Sequence, residues 1–168
     1  DAKVFYPVTR SGRFMEVKAY FEGKAKKEAQ PHLEAASQKI LECESLDELE
    51  GILADCATEI LRIAGGEGGK DDIRNVLRGE DFTGDPVAEL RASVAAARGE
   101  RPWTPALAVA LAFRDTYDAV IDRASYGGRH TLGGKDFDAF VSTLERVGFG
   151  PPVESAQIML ELIDEGRI

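Results

Sequence analysis

Only two cysteines, two histidines and one tryptophan occur in the sequence, and each shortage removes a class of function. Cys43 and Cys56 are too few for a disulfide framework or a thiolate metal quartet. His32 and His130 stand far apart, with no clustered thiols to join them, so no zinc ligand set is in place. Long hydrophobic runs are missing too. The longest, "PALAVALAF", is about half of the roughly 18 apolar residues that a membrane span needs. No signal-peptide pattern opens the chain, because charges and aromatics begin at once in "DAKVFYPVTR". The cysteines therefore read as buried thiols of a reducing compartment, and a cytoplasmic location is expected. A single Cys43–Cys56 disulfide stays open if the helices carrying them are antiparallel. There is no low-complexity segment and no repeat of fixed period.

Catalytic and cofactor motifs are lacking as well. No G-x-S-x-G nucleophile motif occurs, and no Glu-x-x-His pair of a di-iron bundle. Two GGKD tetrapeptides, at 68–71 and 133–136, resemble the end of a phosphate-binding loop but fail its pattern. Ala64 and Arg129 replace the first glycine, and Asp71 and Asp136 replace the magnesium-binding hydroxyl. The tail from Ile121 has the helix–loop–helix rhythm of an EF-hand pair without the ligands. Counted from Asp122, loop positions 3, 5 and 12 are Ala124, Tyr126 and Gly133; counted from Ser125, positions 3 and 5 are Gly127 and Arg129. No metal and no cofactor is expected.

What is present is the composition of one globular domain: 168 residues, 43% hydrophobic and 30% charged. The net charge of −9 is unevenly placed. Residues 1–30 carry seven Lys/Arg against four Asp/Glu, and the remainder carries 14 against 26. Between Lys39 and Arg62 there are seven acids and no bases. An acidic body repels nucleic-acid phosphates, so nucleic acid is an unlikely partner except through the basic N-terminal piece.

The hydrophobic period changes along the chain. "KVFYPVTR" and "RFMEVKAYF" flank a Ser-Gly step and read as a β-hairpin over residues 1–22, with Pro7 forcing the first strand to an edge. From about residue 24 the period becomes helical. Pro31 suits the first turn of a helix ending near Cys43. "SLDE", 45–48, is a capping box, and the helix after it carries an apolar stripe through Leu46, Leu49, Leu53, Cys56, Ile60 and Ile63. "DDIRNVLRG" predicts a short helix. "GDP" and "TP" place a capping residue before a proline and predict helices over about 86–98 and 105–124. The second is apolar all round as far as Phe113, which predicts the buried centre of the domain. Two further helices follow, at about 135–147 and 152–165. The predicted fold is mainly α, an orthogonal bundle of six or seven helices over 23–168, with the hairpin as an arm packed on it or on a partner.

Candidate site residues follow from this frame. His130, in the glycine loop 126–134, has the intrinsic pKa of a catalytic base, with Asp122 or Asp136 to orient it. As a lone loop histidine its ordinary place is in solvent. His32 and the acids at helix starts have surface and dipole roles. Trp103, between two prolines, is either the plug of its loop or an anchor for a partner, and Tyr126 and Phe149 are lesser candidates of the same kind. Without a converging catalytic set, the expected function is a non-catalytic protein–protein interaction module: an adaptor, assembly factor or accessory subunit. Tyr6 and Tyr20 of the hairpin, Glu44, Asp47 and Glu48 of the acidic helical hairpin, and Trp103 are the partner-binding candidates. The alternatives are a small enzyme or enzyme subunit centred on His130 and an acidic nucleic-acid mimic.

Overall fold

The computed structural model describes Glu16, Lys18 and residues 23–82 and 84–168; among these residues the regular structure is helical and contains no strand. The hairpin expected over 1–22, with Tyr6 and Tyr20, lies outside the described residues except for Glu16 and Lys18. Seven helices of nine residues or more follow in order: α1 (Gly23–Glu42), α2 (Leu46–Ile63), α3 (Lys70–Arg78), α4 (Pro86–Ala97), α5 (Pro105–Ala124), α7 (Lys135–Gly148) and α8 (Val153–Asp164). A single turn, α6 (Gly128–Thr131), lies between α5 and α7. No helix among the described residues is long and apolar enough to cross a membrane.

Most helix starts are set by side chains next to them in sequence. Ser45 Oγ accepts from the Glu48 amide at 3.2 Å, and the Glu48 carboxylate accepts from the Glu44 amide at 2.7 Å. Asp85 accepts from the amides of Val87 and Ala88, and Thr104 from that of Leu107. Pro86 and Pro105 then occupy first-turn positions, where a missing N–H costs nothing. α1 departs from expectation. It begins at Gly23, not at Pro31, and Pro31 lies inside it. "KAKKEA" is made of strong helix formers, with Lys24 and Glu28 paired one turn apart at 3.3 Å. Pro31 and Lys27 are both exposed, so water can serve the carbonyl that the proline leaves without a donor.

The all-apolar start of α5 is the centre of the fold. Residues Ala106 through Phe113 are all buried, and α5 packs against α1, α2, α3 and α7. Leu33, Ala36 and Ile40 of α1, Leu49, Leu53 and Ile60 of α2 and Leu144 of α7 close the main core around it. Phe113, Tyr117 and Phe149 stack edge to face, with centroids 5.0–5.9 Å apart. Gly148 makes room for them, since a Cβ there would sit 2.9 Å from the Phe113 ring.

α4 and α8 belong to a second, smaller core. Leu90 and Val94 meet Ala156 and Leu160, with Val87, Val153, Met159 and Ile163 around them. Arg91 pairs with Asp164, and Arg98 donates to Gln157 at 2.9 Å, so polar contacts also close within this pair. Ala96 of α4 and Leu107 of α5 form a small bridging cluster, flanked by Ala97 and Trp103.

Candidate functional site

The glycine loop after α5 is a folded corner. Gly128 is buried, and a Cβ on it would lie 1.8 Å from the Arg123 carbonyl oxygen, so only glycine lets the chain turn back so closely there. Leu132 is 0% exposed and belongs to the main core, which anchors the corner. Arg129 grips Asp138 through two hydrogen bonds, one of them 2.7 Å long. The Arg129 hydrogen bond holds the Asp138 carboxyl below its usual range; partial desolvation opposes this and the guanidinium charge adds to it. The Arg129–Asp138 pair therefore joins α6 to α7.

His130 is exposed, as are Asp122 and Asp136. Among the described residues no hydrogen bond or ion pair reaches its imidazole, and the carboxylate paired at this corner is Asp138, bound to Arg129. Lys135 and Lys70 of the two GGKD segments open α7 and α3. The Gly69 amide is capped by Asp72 at 2.8 Å, and Lys70 pairs with Asp55 at 2.5 Å. Among the described residues no group of three or more His, Cys, Asp or Glu side chains could hold a metal ion.

His32 lies in the middle of α1, not in a first turn, and lines a cavity of about 140 Å3 between α1 and α2 with Cys56, Lys39, Asp55 and Glu59. Cys56 is a free, buried thiol whose pKa burial and the Asp115 charge push up to about 12. It donates to the His32 carbonyl, not to the imidazole. A thiol so desolvated stays protonated at neutral pH and is a poor nucleophile. Cys43 is also free and buried, and burial raises its pKa against the opposing charge of Arg123. A wider cleft of about 460 Å3 lies beside α3 and the start of α5, bordered by Glu67, Asp72, Asn75, Asp81 and Thr104. Trp103, next to it, is half-buried against both the main core and the Ala96–Leu107 bridge, and its carbonyl accepts from the Glu67 amide.

The acidic segment splits into two parts. Along α2, Glu50 pairs with Arg78 at 2.8 Å, Asp55 with Lys70, and Glu59 with Arg62, so these charges are spent within the fold. At the α1–α2 corner, Glu42, Glu44, Asp47 and Glu48 are all exposed, and none forms an ion pair among the described residues. Leu41, in the last turn of α1, is 49% exposed beside them. Arg123 Nε donates to the Cys43 carbonyl at 2.6 Å and ties this corner to the end of α5. The acids are visible in the sequence pattern; the exposure of Leu41 and the Arg123 tie depend on tertiary packing. Against protein-family models, curated proteins and solved structures, the chain has no match.

Proposed function

We propose that this chain is a non-catalytic protein–protein interaction module, an adaptor, assembly factor or accessory subunit, and that the α1–α2 corner receives a basic partner. Support comes from the corner itself: four exposed carboxylates, none in an ion pair among the described residues, follow a half-exposed leucine within one short stretch of chain. Charge of one sign steers a complementary partner, and an apolar contact at its centre supplies the desolvated anchor that holds it. The cap on α2 and the Arg123 tie hold the backbone still, so little ordering cost is added on binding. In this proposal the basic arm over 1–22, expected as a β-hairpin, is the second contact surface.

The test is affinity capture of the full chain from extracts of its source cell, compared with a Glu44→Lys/Asp47→Lys variant that leaves the Ser45–Glu48 cap intact. A stoichiometric partner is expected for the wild type, released as salt is raised towards about 1 M, where screening is nearly complete. That partner should be lost from the variant. Equal capture by both proteins refutes the corner as the contact surface. Capture of a DNA-binding protein would instead favour a nucleic-acid mimic, and hydrolytic or transfer activity lost on His130→Ala would favour an enzyme.

A further inference from the structure

The last carbonyls of a helix have no partner within it, and the chain after α7 reads Phe-Gly-Pro-Pro. Phe149 supplies its amide to the Glu145 carbonyl. Pro151 and Pro152 have no N–H to offer. A donor for the next carbonyl comes from the other end of the chain: the Glu16 amide donates to the Arg146 oxygen at 3.2 Å. Two residues on, the Lys18 amide donates to the Pro151 oxygen at 3.1 Å. The first acceptor is in the last turn of α7, which belongs to the main core, and the second directly precedes the Pro152 cap of α8, which belongs to the smaller one. The segment therefore crosses the junction between the two cores at the point where the chain passes from one to the other.

The smaller core needs such a tie. It has four buried side chains, Leu90, Val94, Ala156 and Leu160, and two helices cannot enclose an apolar interior by themselves. The Arg91–Asp164 ion pair and the Arg98–Gln157 hydrogen bond run within the pair, and the Ala96–Leu107 bridge gives it an apolar link to the bundle at the far end of α4. We infer that the backbone of Glu16 and Lys18 is a strap that docks the α4–α8 pair on the main bundle, so that freeing this segment loosens the pair while α1, α2, α5 and α7 stay folded. This inference does not depend on the partner reading above.

Proline substitution removes the two amide donors and also fixes φ at the substituted positions. The experiment is amide hydrogen exchange on the full chain, read by mass spectrometry, for Lys18→Pro, for Glu16→Pro/Lys18→Pro, and for Lys18→Ala, which keeps its amide. In the double proline variant, peptides from 86–97 and 153–164 are expected to exchange roughly tenfold faster, the effect of losing two ordinary backbone hydrogen bonds. Lys18→Pro should give a smaller rise in the same peptides. Peptides from 46–63 and 105–124 should stay within about twofold of wild type, and Lys18→Ala should match wild type throughout. Unchanged exchange in α4 and α8 overturns the strap. So does an equal rise in α2 and α5, because the segment then supports the whole fold, and so does an equal rise in Lys18→Ala, because the amide is then not the tie.

Discussion

Tyr126 has φ +52° and ψ +37°, the left-handed region, and its side chain is fully exposed. Gly127 after it also has positive φ, at +95°, yet here the first of the two left-handed positions is filled by an aromatic residue. Gly128, by contrast, has ordinary helical angles and is required by its closeness to Arg123. In a sequence both look like the same Gly-rich turn; only backbone placement separates a glycine needed for space from one useful for its torsion. An L-residue in the left-handed region costs about 1–2 kcal/mol, and the exposed ring gains little packing in return. Tyr126→Gly is therefore expected to stabilise the protein by on the order of 1 kcal/mol, read as a higher urea midpoint with unchanged slope. A lower midpoint would mean that the ring holds contacts that outweigh the strain. His130 illustrates the same limit: its neighbours in sequence offer Asp122 or Asp136 to orient it, whereas the carboxylate that the fold pairs at this corner is Asp138, held by Arg129.

Elements were legible wherever the deciding contact is local. The Ser45–Glu48 cap, the Asp85 and Thr104 caps and the first-turn prolines lie within four residues of the helix starts they set, and the helices begin where those residues predict. Pro31 reads as a helix start in the sequence, but a solvent-facing proline can be carried inside a helix, and α1 begins earlier, at Gly23. The pairing of α6 with α7 was not legible, since Arg129 and Asp138 flank a turn whose geometry sets their distance. That pairing has a pH signature. A carboxyl held below its ordinary pKa contributes stability above that ordinary value, near 4, and loses it as pH falls through the depressed one. Asp138→Asn should lower the melting temperature at pH 7, and the gap to wild type should close as pH falls below about 4. A gap that persists at pH 2 would show that the pair acts through packing, not charge.

At the scale of the whole molecule, two cores of unequal size share one chain. Leu132 is fully buried in the larger one although it sits in a loop between glycines. Leu132→Ala is expected to cost about 2–5 kcal/mol of global stability, measured by denaturant unfolding, as for a core helix residue. A loss below about 1 kcal/mol would show that the corner can collapse or detach freely. The sequence alone determined the helical class, a count of six or seven helices, most of their boundaries and the central place of residues 105–113. Those properties follow from caps, prolines and a 3.6-residue period, all acting over a few residues. Tertiary structure alone decided that α4 and α8 leave the main core and pair with each other. It also decided that Leu132 is inside while Leu41 is half outside, and that the Glu16 and Lys18 amides serve carbonyls at the end of α7 and just before α8. The physical reason is that periodicity marks which face of a helix is apolar but says nothing about which other face will cover it.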